Sequence, residues 1–362
     1  MGSRSYYFFK VIAVNLLLCL LVLGGAELLT RGLDLAPEVI SIDPRQKEGL
    51  FTYSDNPKLG YLFTPNFSVP APAYDQSFFR TNSEGLRDIE RRVEGRPGWR
   101  RIIVLGDSVV SAVHTNVNFT IARQLEHQHE ARGRRIESLN MGVMGYCTRA
   151  EVELLETKGL RYDPDLVILV FVENDYRDFN EDLERALEYE RPPLVNGLFK
   201  SSELFRLFAL RTDAFEFRTE LMPEERLRSN RDAIGAGNVP RGLKRLKELS
   251  RRHNFQVVIA LWPVFRDDGI HDVDNAPEYL KDPDDERLTI ERLAAEHGFE
   301  VVRLSDTFRE DYAALRGRGD RRSPRMAYTI GDEMHPMRTG TFVAARALLP
   351  VIDRLLPAGA AR

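Results

Sequence analysis

Seven consecutive apolar residues, Leu166 to Val172, stand between Asp163-Pro164-Asp165 and Glu173-Asn174-Asp175. The run is short for a helix and lacks the alternation of a strand with one wet face. It reads as a strand buried on both sides, the mark of a parallel sheet covered by helices on each face. Shorter runs of the same kind occur at Arg101–Leu105, Ile136–Met141, Val257–Leu261 and Val301–Leu304. Between them apolar residues recur at helical spacing: Phe119, Ala122 and Leu125; Val152, Leu155 and Gly159; Leu243, Leu246 and Leu249. Leu288 to Ala295 predicts a further helix, with Gly298 as a left-handed cap. Phe342, Ala345, Leu349 and Ile352 predict a closing helix, bent or split at Pro350. This alternation predicts an α/β domain of three layers, α/β/α, around a doubly wound, mostly parallel five-stranded sheet.

That domain is expected over residues 99–357, with an insertion at about 178–237. The insertion carries Leu204, Phe205, Leu207, Phe208 and Leu210, apolar on more than one helical face, so it must pack on the domain, a membrane or a substrate. Residues 31–98, rich in Pro, Gly, Asn and Ser and including Pro65, Pro70 and Pro72, read as an extended arm packing on the domain. Residues 1–30 stand apart. Val11 to Ala26 is apolar except for Asn15, with aromatic residues upstream and Leu28-Leu29 beyond. With Arg4 and Lys10 before it and Glu27, Asp34 and Glu38 after, it predicts a single-pass anchor in the cytoplasmic membrane with the remaining chain outside. A cleaved signal peptide ending near Gly24-Gly25-Ala26 is the competing reading.

A formal net charge of −4 gives no electrostatic footprint for nucleic acid. The arginines at 316, 318, 321, 322 and 325 have no interleaved aromatics for base stacking and read as a solvated loop. Cys19 and Cys147 have no neighbours at metal-ligand spacing, and a disulfide between them is not expected. His271-Asp272-Val273-Asp274 lacks a second cluster to complete a coordination shell. No metal and no cofactor are expected.

Polar groups gather where an open parallel sheet places ligands, beyond the carboxyl ends of its strands. Ser108 follows the first strand, Gly145 the second and Asn174 the third, while Asp332 and His335 precede the last helix. A serine attacks a carbonyl only when a base takes its proton, and histidine is the usual base. A carboxylate three residues away can hold the imidazole in its tautomer. The amides of Ser108 and Gly145 and the side chain of Asn174 are candidate donors to an oxyanion. Asp107 reads as a structural hydrogen-bonding residue. Cys147 reads as a packing residue, and His114, His127, His129, His253 and His297 as loop or helix-surface residues.

Val104-Leu105-Gly106-Asp107-Ser108 resembles the first sequence block of the SGNH (GDSL-type) hydrolases. Asn140-Met141-Gly142-Val143-Met144-Gly145-Tyr146 resembles the second, Glu173-Asn174-Asp175 the third, and Asp332-Glu333-Met334-His335-Pro336 the last. Thr81-Asn82-Ser83-Glu84-Gly85-Leu86-Arg87-Asp88 is similar to a segment of membrane-tethered bacterial members. Val172 replaces a usual Gly two before the Asn, and Met337 stands where many relatives have Asn or Ser. The resemblance implies a flavodoxin-like SGNH fold and a serine esterase or lipase. Its catalytic residues would be Ser108, His335 and Asp332, with Ser108, Gly145 and Asn174 as the oxyanion hole. The substrate class would be a small-molecule, lipid or polysaccharide acyl ester. An O-acyltransferase acting on an envelope or secreted polysaccharide would use the same residues; a catalytically silent binding protein could keep the fold, and the intact Ser108, Gly145, Asn174, Asp332 and His335 argue against it. Acyl group, acceptor and protein partners are not legible.

Overall fold

The computed structural model describes residues 2–33, 35, 50–54, 56, 58–69, 79–112, 114–176, 192–212 and 237–358. Pro70 and Pro72 of the arm and residues 178–191 and 213–236 of the insertion lie outside the described residues, as does the side chain of Leu210.

The chain opens with helix α1 (Gly2–Gly32), of which Phe8–Gly32 is long and apolar enough to cross a membrane. Two small antiparallel pairs follow, β1 (Phe51–Tyr53) with β2 (Tyr61–Phe63) and β3 (Ser68–Val69) with β4 (Phe79–Arg80). Then come β5 (Arg100–Gly106), α2 (Ser108–Ser111), α3 (Ile121–Glu130), β6 (Ile136–Gly142), α4 (Thr148–Leu154) and β7 (Leu166–Phe171). The insertion contributes α5 (Pro193–Ser201) and α6 (Glu203–Thr212). After α7 (Asn238–His253) run β8 (Gln256–Leu261) and the short hairpin of β9 (Val264–Phe265) and β10 (Ile270–His271). The last elements are α8 (Thr289–Glu296), β11 (Glu300–Arg303), α9 (Leu304–Gly317), α10 (Pro324–Tyr328) and α11 (Arg338–Leu355).

Five strands form one sheet in the order β6-β5-β7-β8-β11, and every pair is parallel. Counted along the chain this is the 2-1-3-4-5 order of flavodoxin-like folds, whose ligand crevice lies where the order reverses. Here the reversal falls between β5 and β7. Burial explains why these runs show no polar alternation. Ile103, Leu105, Val167, Leu169 and Ile259 face one apolar layer with Leu243, Leu246 and Leu293 of α7 and α8. Their neighbours Ile102, Val104, Ile168, Val170 and Val258 face the other, with Leu125, Phe308, Leu348 and Ile352 of α3, α9 and α11. Phe51, Tyr61 and Phe63 of the small β1–β2 pair join the first layer.

Three local expectations are corrected. Phe119 belongs to a separate turn at Val117–Phe119, because Thr120 caps α3, accepting a bond from the Arg123 amide. The final helix is not split: it runs as one element, with Pro350 inside it and exposed. The amide that Pro350 lacks would have met the Arg346 carbonyl on the outer face, where water can serve instead. Phe342, expected on the buried stripe, is 44% exposed, and Val343, Ala344 and Val351 take inward positions beside Ala345.

Candidate active site

β5 ends at Gly106, and the chain turns at once into α2. A side chain at Gly142, at the end of the adjacent β6, would stand 2.3 Å from the Ser111 amide, so glycine there lets α2 drop onto the sheet edge. Asp107 caps α2: its Oδ1 accepts the Val109 amide at 2.9 Å. Its Oδ2 accepts the Ser108 hydroxyl at 3.3 Å and the Asn174 Nδ2 at 3.2 Å. Asp107 is fully buried, and burial raises its pKa above the ordinary carboxylate value.

Across the cleft, His335 Nε2 lies 3.0 Å from Ser108 Oγ and His335 Nδ1 lies 2.6 Å from Asp332 Oδ2. The other Asp332 oxygen accepts the amides of Met334 (3.0 Å) and His335 (2.8 Å). Burial works against the charged carboxyl, but these amides and the imidazole outweigh it and hold Asp332 below its ordinary pKa. The loop is pinned by its backbone. The Trp262 indole donates to the Met334 carbonyl at 3.0 Å, the Phe265 amide to Glu333 at 2.8 Å, and Thr329 bridges to Pro336. The carbonyls of Glu333 and Met334 thus tie the loop to the segment after β8. Met337 occupies the N-cap of α11 with no side-chain cap bond, so an Asn or Ser there would add a capping bond worth about 1 kcal/mol.

Asn174 follows β7 in a turn held by Asp175, whose Oδ2 accepts the Val172 amide at 3.0 Å. Val172 is buried in the layer that holds α9 and α11, so its side chain fills core. Asn174 spends one amide hydrogen on Asp107 and has a second to offer. Gly145 has φ +75°, a left-handed conformation that favours glycine, in the turn after β6.

Several residues gain meaning only from the fold. His114, expected in a loop or on a helix surface, lies edge-on to His335 with ring centroids 5.5 Å apart. Burial and the His335 charge push its pKa down to about 4, so it stands beside the His335–Asp332 pair as a neutral ring. His129 is corrected: it is fully buried on α3, with burial pushing its pKa to about 4. Arg87, fully buried, donates to the carbonyls of Ala112 and Thr115 and so braces the loop that carries His114. Asp88 accepts the Asn140 amide at 3.1 Å, and Asn140 in turn donates to the Val110 carbonyl at 2.9 Å. The 81–88 segment is thus a strap behind α2. No spacing in the sequence marks it as such, because its contacts are to distant backbone groups. Cys147 is buried, and burial pushes its thiol up to about 12. At the His271 cluster, His271 pairs with Asp268 at 3.0 Å, Asp272 with Arg309 at 2.9 Å, and Asp274 accepts from Thr289 at 2.7 Å, so each group is spent on a protein partner.

Beneath the site Glu151, in the first turn of α4, is fully buried, and neither carboxylate oxygen has a hydrogen-bond partner among the described residues. Burial first, then the charges of Asp175 and Asp107, raise its pKa well above the ordinary carboxylate range. A raised acid gives its full stabilisation below the unfolded pKa and loses it as pH climbs toward the folded value. Glu151→Gln therefore matches the parent near pH 4 and is more stable at pH 8, by about 1 kcal/mol or more, roughly 2–4 °C in Tm. Thermal melts at the two pH values check this; a Tm difference independent of pH would mean that Glu151 titrates normally.

No family model and no curated protein matches the chain. Among solved structures, the chain is similar to a psychrotrophic esterase, EstA, from Pseudoalteromonas sp. The match has 13% identity, covers 71% of this chain and 98% of that one, and has a TM-score of 0.39. A protein described as a GDSL-like lipase, from Parabacteroides merdae, matches at 16% identity over 72% of this chain and 98% of its own, with a TM-score of 0.38. A mutant of an acetyl-xylooligosaccharide esterase from Geobacillus matches at 13% over 71% and 95%, again with a TM-score of 0.38. Identities and scores this low say nothing of the reaction of this chain, whose fold is read from its own strand order.

Proposed function

We propose that the chain is an SGNH-type serine hydrolase that cleaves an acyl ester, anchored by α1 in the cytoplasmic membrane with its catalytic domain outside. The observation that carries this reading is the unbroken run from Ser108 Oγ through His335 to Asp332, at 3.0 and 2.6 Å. A single hydroxyl–imidazole contact is common; one whose second nitrogen meets a carboxylate already fixed by two backbone amides is arranged for proton transfer.

In the reaction Ser108 Oγ attacks the ester carbonyl while His335 Nε2 takes the hydroxyl proton. Asp332 stabilises the imidazolium through Nδ1 and stays ionised, which its lowered pKa favours. The amides of Ser108 and Gly145 and the second hydrogen of Asn174 Nδ2 receive the developing oxyanion. The tetrahedral state collapses as His335 returns the proton to the leaving alkoxide, giving an acyl-serine and a free alcohol. Water, deprotonated by His335, then attacks the acyl-serine, and His335 returns that proton to the departing Ser108 Oγ as the acid is released.

The test is a panel of acyl esters, from acetyl to long-chain, incubated with the full-length protein with and without sugar acceptors. Release of free acid that saturates with ester concentration is the expected result. Acyl groups recovered on the sugar in place of free acid would make the protein a transferase, and no turnover of any ester would leave a binding protein.

A further inference from the structure

The last turns of α1 do not end free. Glu27 accepts the Ser202 hydroxyl at 2.7 Å and the amides of Glu203 and Leu204 at 3.0 and 2.9 Å, thereby capping α6 from another element. Arg31, bonded to Glu27 at 2.7 Å, donates back to the Ser201 carbonyl at 2.6 Å. Thr30 is 4% exposed, and Ala209 of α6 is fully buried. Residues 8–25, by contrast, are exposed around the whole helix, as an apolar helix is before lipid surrounds it. Those residues span about 27 Å at roughly 1.5 Å each, close to the ~30 Å of a hydrocarbon core. Glu27 then falls just beyond the acyl region, and the α5–α6 hairpin clamped to it falls at the headgroup layer. That hairpin exposes large apolar side chains: Leu194 at 74%, Phe208 at 52% and Leu198 at 38%.

We propose that α5 and α6 form an interfacial helical hairpin, held by Glu27 against the end of the membrane helix, whose Leu194, Leu198 and Phe208 insert at the headgroup–acyl boundary of the bilayer. This rests on the reading of α1 as an anchor. Water next to these three side chains is unfavourable, and the position of the clamp supplies an apolar alternative at the right depth. The hairpin lies in the insertion between Asn174 and α7, so the bilayer surface and the rim of the site are joined by one stretch of chain.

The test uses the full chain in phosphatidylcholine–phosphatidylglycerol vesicles, in a Cys19→Ala background. Single cysteines replace Leu194, Leu198 or Phe208, with Leu20→Cys as the reference for the acyl interior and Arg252→Cys as the aqueous reference. Spin labels at 194, 198 and 208 are expected to meet oxygen more often than a water-soluble nickel chelate, at a depth of roughly 5–10 Å, unlike the label at 252. Adding Glu27→Ala should move the hairpin labels toward water and leave the label at 20 unchanged. Labels that match position 252, or that are shielded from both collision partners, while position 20 reads acyl interior, would overturn the hairpin and spare the anchor. A label at position 20 in water would overturn both. Hairpin depths unmoved by Glu27→Ala would overturn the clamp.

Discussion

Ser108→Ala is expected to lower kcat for any accepted ester by on the order of 10⁶ and to abolish labelling by a fluorophosphonate probe. The size follows from what is removed. Without Oγ there is no nucleophile for His335 to activate, and the remaining oxyanion donors and binding contacts supply only the residual rate, roughly 10³–10⁴ over water. Folding should be spared. Among the described residues Ser108 Oγ bonds to its neighbour Asp107 and to His335, whose side chain is 31% exposed, so water replaces the lost contact. The expected change in stability is within about 1 kcal/mol. Probe labelling that persists in Ser108→Ala, or turnover near the parent rate, would remove Ser108 as the nucleophile.

Asn174→Ala is expected to lower kcat by roughly 10²–10³ with KM nearly unchanged, a loss of about 3–4 kcal/mol of transition-state stabilisation. A donor aimed at the oxyanion interacts far more strongly with the tetrahedral state than with the planar ester, so the loss appears in the chemical step. Its contact with Asp107 sharpens the comparison with a second variant. Asn174→Asp would set a carboxylate about 3 Å from the buried Asp107 carboxyl, where like charges raise each other's pKa, as well as beside the forming oxyanion. It should therefore be worse than alanine in both activity and stability, and its stability deficit should grow with pH. If Asn174 serves only to hold Asp107 and the turn after β7, Asn174→Ala will lose thermal stability in step with activity. A folded Asn174→Ala enzyme of near-normal kcat would take Asn174 out of the oxyanion hole.

The legibility of this protein divides along the range of its interactions. Strand and helix identity depends on which faces are buried, and Leu166–Val172 displays that directly: both faces meet helices, so no polar residue interrupts the run. The positions of Ser108, Gly145 and Asn174 beyond strand ends follow from the same reading, because each stands within a few residues of a recognisable run, whereas His335 is placed only by the helix it precedes. Helix details are less secure. Pro350 predicts a bend or split, and the structure excludes the split, since the cost of a missing amide depends on whether solvent reaches the carbonyl it leaves. His114 cannot be told from a surface histidine in the sequence, because nothing near it in the chain reports that the loop after α2 folds over His335.

By itself, then, the sequence determined the layered parallel sheet and the sheet edge where the polar groups gather, since both are written in local apolar patterning. Only the tertiary structure decided that His335 meets Ser108 across 227 residues of chain, that Arg87 and Asp88 brace the loops behind α2, and that Glu27 holds a helix 176 residues away. It also revealed that Glu151 is buried with no hydrogen-bond partner among the described residues. The first three are contacts between side chains and groups far away in the chain. Such contacts leave no periodicity, because a single donor or acceptor at the right point in space suffices and its place in the chain is free.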